Sequence, residues 1–397
     1  MPETRGAPWR RWRPNCARGT RDDRRGRRLR RGRGRSASAA GPLPADARHE
    51  PRPLRTGGLA MPLRVGVIGV GMIGQEHARR LSGVVTGAEV IAVTDLSADR
   101  AKAVAAETGA RVYDSGGEVI ASAEVDAVVV TSWGPTHAEH VLGAIAAGKP
   151  VFCEKPLATD AADCRRIMTA EAAHGKRLVQ VGFMRRYDEG YRQLKRLVDA
   201  GRIGTPLMAH CAHRNPSVPD SYTSEMAMLD TAVHEVDVLR WLLDEEIVSA
   251  QVLTPRPTRH RFDHLQDPQI MLFETSGGAR IDVEVFVNCR YGYDIRCEIV
   301  GETGAARLAD PARPAVRRDG QEGTAVTADW RERFGAAFDA EFQAWVDAAS
   351  EGTATGPSAW DGYAATAVGD AAVEALKTGG VVPVDMVSRP AFYTGEQ

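Results

Sequence analysis

Gly69-Val70-Gly71-Met72-Ile73-Gly74 follows an apolar run, Arg64 to Gly69, and leads into an amphipathic stretch, and this junction decides the fold. A strand that enters a glycine-rich turn and opens a helix is the dinucleotide-binding fingerprint. Its first glycine permits the tight turn, its second lets backbone approach a pyrophosphate, and its third allows close helix-to-strand packing. Met72 and Ile73 begin that helix, whose free N-terminal amides suit phosphate oxygens. Asp95 stands 21 residues beyond Gly74, at the end of the second strand. A carboxylate there accepts hydrogen bonds from both ribose hydroxyls and repels a 2′-phosphate, which favours NAD over NADP. Arg100 is the nearby cation that argues the other way.

Beyond that turn, short apolar runs alternate with amphipathic stretches of helix length, as in β-α-β units. Strands are predicted at Arg64–Gly69, Glu89–Thr94, Ala127–Thr131, Pro150–Cys153 and Leu178–Gly182, with helices at Ala98–Glu107, Pro135–Ala147 and Ala161–His174. After residue 184 the rhythm changes. Helix Glu189–Ala200, strand Leu207–His213 and a long helix near Glu225–Leu243 precede strands Gln269–Glu274, Arg280–Val287 and Ile295–Val300, and helices Ala336–Ala349 and Gly362–Thr378 close the chain. Ser276-Gly277-Gly278 and Gly301-Glu302-Thr303-Gly304 read as hairpin turns. The fold class is α/β: an N-terminal Rossmann-type doubly wound parallel sheet over 61–183, then an α+β domain over 184–386 with a large open, mostly antiparallel sheet, and a tail over 387–397.

Composition narrows the function. The 397 residues are 43% hydrophobic and 26% charged, and no apolar run nears the roughly 18 residues that span a bilayer. Residues 1–60 hold 17 arginines against five acidic residues, so the rest carries −13 of a formal net −1. An acidic body argues against nucleic acid as partner. The first 60 residues lack hydrophobic periodicity and read as a disordered extension upstream of a working start at Met61, with a targeting or nucleic-acid arm as the other reading. Six cysteines without a Cys-x-x-Cys pair indicate neither a disulfide scaffold nor a structural metal, and fit a reducing cytoplasm.

Two further clusters carry chemistry. Cys153-Glu154-Lys155-Pro156 ends the fifth strand, where ligands of open α/β sheets bind, so Lys155 points into the cleft. Its ammonium can stabilise alkoxide character as hydride leaves, although an isolated lysine is more often a solvated one. Asp230 and His234 are spaced i, i+4, which places both on one helical face. A neutral imidazole can accept a hydroxyl proton, and a carboxylate can fix its tautomer, Asp230 or Asp237 being placed for this, or itself contact the substrate, as Asp230 could; the bland alternative is a cap or salt bridge. Cofactor, base and alkoxide-stabilising donor are what alcohol oxidation needs.

With these residues in place, the chain from Met61 to Met386 resembles the glucose-fructose oxidoreductase/inositol dehydrogenase (Gfo/Idh/MocA) family. The glycine motif, Glu154-Lys155-Pro156 and the Asp230/His234 pair carry the family likeness. Val181 to Asp188, His213-Arg214-Asn215-Pro216, His234-Glu235-Val236-Asp237, Tyr293 and Trp360-Asp361-Gly362-Tyr363 resemble its inositol branch. The resemblance implies NAD-dependent oxidation of a cyclic polyol, best myo-inositol to its 2-ketone, with Lys155, Asp230 and His234 catalytic and His234 the proton acceptor. It implies that Arg185, His213, Asn215 and Tyr293 contact ring hydroxyls, and that Thr131, Ser132, Trp133, His137 and Glu154 border the nicotinamide. It also implies a homotetramer through the second sheet, whose exposed face would carry Ile281, Val283, Val285 and Val287. Separately, the absence of a Cys/His zinc set argues against a metal-dependent mechanism, and the cysteine usage points to a cytoplasmic enzyme. A sibling acting on scyllo- or D-chiro-inositol or an aldose, and a non-catalytic NAD sensor, are the competing readings.

Overall fold

The computed structural model describes residues 61–311 and 313–394; the disordered extension expected over 1–60 lies outside them. The first sheet consists of β1 (Leu63–Ile68), β2 (Ala88–Thr94), β3 (Arg111–Val112), β4 (Ala127–Val130), β5 (Val151–Glu154) and β6 (Val179–Gly182). Helices α1 (Met72–Gly83), α2 (Ala98–Thr108), α3 (Gly116–Ala121), α4 (His137–Ala146) and α5 (Ala161–His174) connect them. All pairings are parallel, in the order β3-β2-β1-β4-β5-β6. The order reverses between β1 and β4, and a crevice opens beyond the strand ends at that point. Continuous apolar strands suit a sheet covered on both faces, and every residue of β4 is buried.

Local chemistry sets the boundaries. Asp160 caps α5 by accepting from the Asp163 amide, and Gly175 ends it at φ 77°. Pro135 lies in a 3₁₀ turn, Gly134–Thr136, ahead of α4 rather than inside the helix. β3 and α3 are too short for periodicity to reveal them.

The second sheet is built from β7 (Pro206–Arg214), β8 (Ile247–Leu253), β9 (Gln269–Thr275), β10 (Arg280–Phe286), β11 (Asp294–Gly301), β12 (Ala305–Arg307) and β15 (Val382–Pro383). Its order is β12-β11-β7-β10-β9-β8-β15. β7 and β10 are parallel, and the other pairs antiparallel. A small hairpin, β13 (Ala315–Arg318) and β14 (Gln321–Thr324), stands apart from it. The helices of this half are α6 (Glu189–Asp199), α7 (Val233–Leu243), α8 (Trp330–Ser350) and α9 (Ala359–Thr378).

Two expectations are corrected here. The long helix near Glu225–Leu243 is interrupted: Ala227–Ala232 forms a π-helical turn, and α7 begins only at Val233. Ile281, Val283, Val285 and Val287 are at most 2% exposed and join a core shared with residues of α7 and α9, so they do not form the open face. The period of two puts Arg280, Asp282 and Glu284 on that face instead. The described part of the tail is tied down at Tyr393, whose hydroxyl donates to Glu171 at 2.7 Å.

Helix α8, late in the chain, completes the first sheet. Phe342, Trp345 and Val346 share one apolar cluster with Val65, Val67 and Phe152. Trp345 is fully buried with its ring centroid 6.0 Å from that of Phe152. Trp345→Ala is expected to lower stability by about 3–5 kcal/mol, read as a drop in the denaturant midpoint; a loss below about 1 kcal/mol would show that α8 does not hold this layer.

Candidate active site

The glycine turn is built by crowding on one side and space on the other. Gly69 has φ 88°, and a Cβ there would lie 2.5 Å from Ser132 Cα. A Cβ on Gly74 would sit 2.1 Å from the Gly69 carbonyl oxygen, which also accepts from Thr131 Oγ1 at 2.5 Å. A Cβ on Gly71 meets nothing within 4 Å. Gly71 caps α1 with no side-chain hydrogen bond and no acidic residue follows in the first turn, so the helix amides are free for an anion. The open cradle at Gly71 beside two sterically enforced glycines fits a pyrophosphate.

Asp95 lies just past β2. Its Oδ2 accepts from the Val70 amide at 2.8 Å and its Oδ1 from the Ser97 amide at 2.7 Å, which fixes the carboxylate against the turn. Arg100 pairs with Oδ1 at 2.8 Å. Burial pushes the carboxyl up, but the Ser97 amide, Arg100 and the Val70 amide together hold it below its ordinary value. The guanidinium that argued for a 2′-phosphate is thus engaged by Asp95.

A cavity of about 410 Å³ continues from this turn into the second half of the chain. Met72, Ile73, Thr131, Ser132, His137, Glu154 and Lys155 line it from the first sheet's loops, and His213, Asn215, Asp230, His234 and Tyr293 from the other half. His137 ties two loops together, its Nδ1 2.7 Å from the Pro156 carbonyl and its Nε2 3.0 Å from that of Ser132. Buried His77 lies 2.8 Å from Glu154 Oε1, and the Lys155 amide donates to Oε2 at 3.1 Å.

Lys155 and Asp230 meet across the cavity. Lys155 Nζ donates to Asp230 Oδ1 at 2.7 Å and to the Asp230 carbonyl at 3.1 Å. Burial alone would depress the ammonium, yet Asp230 raises it above its ordinary value, while Lys155 lowers the carboxyl of Asp230. Both stay charged at neutral pH. Burial, reinforced by Lys155, Arg185 and His213, drives His234 well below its usual value, so its ring is neutral.

Several expectations change at this point. The π-helical turn moves Asp230 off the α-helical i, i+4 face, and it bonds Lys155 rather than His234. Asp237 pairs with Arg186 at 2.5 Å, and His234 Nδ1 is buried without a partner among the described residues. Neither carboxylate therefore fixes the His234 tautomer. Arg185 is 1% exposed and stands behind His213, bonded to Glu235 and to His213 Nδ1 at 3.0 Å, rather than at the cavity wall. Trp133 is 73% exposed and does not line the cavity. The Asn215 side chain bonds no described residue, and its backbone amide donates to the Phe286 carbonyl at 2.9 Å. Met184, inside the Val181 to Asp188 stretch, and Thr231 also line the site, as do Trp330 and Phe338 of α8, which no local pattern marked. Among the described residues no cluster of three or more His, Cys, Asp or Glu is placed to hold a metal.

Comparison with known proteins agrees with this geometry. Residues 63–183 match the oxidoreductase family with an NAD-binding Rossmann fold, and residues 195–386 its C-terminal alpha/beta domain. Inositol 2-dehydrogenase 3 of Saccharopolyspora erythraea is 69% identical over 335 residues, 84% of this chain and 99% of that protein. Inositol 2-dehydrogenase of Burkholderia cenocepacia is 58% identical over 337 residues, covering 84% of this chain and all of its own length. Among solved structures, myo-inositol dehydrogenase from Lactobacillus casei, in complex with NAD(H) and myo-inositol, superposes with TM-score 0.82 at 40% identity, over 84% of this chain and 100% of that one. By sequence match across both halves and by fold, the chain belongs to the Gfo/Idh/MocA oxidoreductase family.

Proposed function

We propose that this chain is an NAD-dependent dehydrogenase that oxidises one ring hydroxyl of myo-inositol to the 2-ketone. The observation that carries the reading is the convergence of Lys155, Asp230, His234, His213, Asn215 and Tyr293 on one cavity continuous with the glycine turn. Relatives named inositol 2-dehydrogenase support the choice of substrate. A polyol needs many polar partners, and each unmatched buried group costs about 1–3 kcal/mol, which lets such a wall reject near relatives.

Gly69, Gly71, Met72, Ile73, Gly74 and Asp95 would hold NAD, which would supply the hydride acceptor. His234 takes the proton of the reacting hydroxyl through Nε2. Lys155, kept cationic by Asp230, places a donor beside the oxygen as negative charge develops there. Thr131, Ser132, His137 and Glu154 shape the neighbouring wall. Residues 61–183 serve as the NAD-binding domain, and 184–386 as the substrate and assembly domain.

The same reading includes a homotetramer joined through the outer face of the second sheet. That face mixes apolar Met208, Leu253 and Leu272 with charged Arg280 and Asp282, a composition suited to a subunit contact. It places the enzyme in the cytoplasm, in keeping with the five described cysteines being free. No described helix is long and apolar enough to cross a membrane.

Purified protein with NAD is expected to form NADH, read at 340 nm, with myo-inositol preferred over scyllo- and D-chiro-inositol, glucose and xylose. Activity confined to another polyol moves the specificity to a sibling enzyme, and NAD binding without any turnover favours a sensor. His234→Ala should cut turnover about 10²-fold or more; full-rate turnover would remove the ring from the mechanism. Because the His234 ring titrates well below its ordinary value, the acid limb of kcat/KM in the wild type should fall below pH about 6.5. Leu272→Lys should shift the tetramer to smaller species by light scattering, and an unchanged mass would place the interface elsewhere.

A further inference from the structure

Glu235 has no part in the reading above, yet it sits in a buried trio directly behind the substrate wall. It is 1% exposed on α7, next to His234, and Arg185 and His213, its two partners, are 1% and 4% exposed. Glu235 Oε1 takes a close contact from Arg185 Nη1, and Oε2 lies 3.1 Å from His213 Nδ1. Arg185 Nη2 lies 3.0 Å from the same nitrogen. His213 Nδ1 is thus contested by a permanent donor and a permanent acceptor, and only one of them can be its partner.

The surroundings decide between them. If Arg185 donated to Nδ1, the ring lone pair would face Glu235 Oε2, which has no other donor among the described residues. If Nδ1 carries the proton, Oε2 is satisfied and Arg185 Nη2 goes without an acceptor, as Arg185 Nε does in either arrangement among the described residues. The guanidinium tolerates this better, because it keeps Glu235 and also lies 5.5 Å from the Phe334 ring centroid and 5.9 Å from that of Tyr191. Aromatic faces attract leftover cationic N–H groups, and a lone carboxylate oxygen has no equivalent here.

Resting on the dehydrogenase reading, we propose that Glu235 is a positioning residue. It takes the Nδ1 proton of His213 and thereby leaves the Nε2 lone pair facing the cavity, where it accepts a hydrogen bond from a ring hydroxyl other than the one oxidised. His213 then reads a donor at one fixed point of the polyol, while His234, with its ring centroid 6.4 Å away, serves the reacting position. Tyr293 packs edge-on against His213 at 5.6 Å and keeps the ring from tilting.

The first test uses the wild-type full chain labelled with ¹⁵N-histidine. A two-bond ¹H–¹⁵N correlation spectrum, with His213 assigned by its absence from His213→Asn, should show Nδ1 protonated and Nε2 bare at neutral pH. The reverse pattern overturns the proposal and makes Arg185 the partner. The second test is Glu235→Gln, for which KM for myo-inositol should rise about tenfold while kcat stays within about threefold and NAD affinity by fluorescence quenching is unchanged. An unchanged KM overturns it. Should Glu235→Gln fail to fold around the unpaired Arg185, the wild-type spectrum decides alone. The tautomer is read without substrate, so a wild-type enzyme inert towards every polyol would refute the dehydrogenase reading and not the assignment of the His213 proton.

Discussion

The ion pair between Lys155 and Asp230 is the interaction on which the site depends. It joins the end of β5, in the first sheet, to a π-helical turn in the second half of the chain, at 2.7 Å. An ammonium withdrawn from water without a partner would lose its proton, and Lys155 would then be no use as a donor to developing negative charge. Asp230 prevents this. The π-helical turn has a matching role: it brings both the carboxylate and the backbone carbonyl of Asp230 to one ammonium. Turns of this kind are rare and recur at functional sites.

Around that pair the polar side chains divide by depth. At the wall, His234 Nδ1 has no partner among the described residues, whereas behind it Glu235 is bonded to Arg185 and Asp237 to Arg186. A wall with unmatched groups is ready for a ligand rich in hydroxyls. The layer behind it fixes the geometry so that little order has to be created on binding.

The glycine turn and the alternation of strands and helices were legible because they are local: the turn requires φ 88° at Gly69, and buried strands require unbroken apolar runs. The same locality explains why Lys155 and Asp95 were found, since both lie at strand ends, where the topology dictates a crevice. What sequence reasoning missed is tertiary. The i, i+4 spacing of Asp230 and His234 carries no sign that the helix widens there, and the alternation in β10 says that one face is buried without saying which neighbour buries it. Arg185 sat in a stretch that resembled relatives closely, but similarity does not tell a side chain at the wall from one behind it. Trp330 and Phe338 came from a helix whose place in the site follows from packing alone.

That helix has a consequence for how the chain acquires its shape. Phe342 and Trp345 fill the layer beneath β1 and β5, so the nucleotide-binding half has a gap in its core until nearly all of the second half has left the ribosome. The first sheet, though continuous in sequence, is not self-sufficient in its core, because one layer of it is supplied by side chains from far downstream. A chain cut short before α8 would carry the apolar seam of that layer exposed, the kind of surface that quality-control proteases recognise.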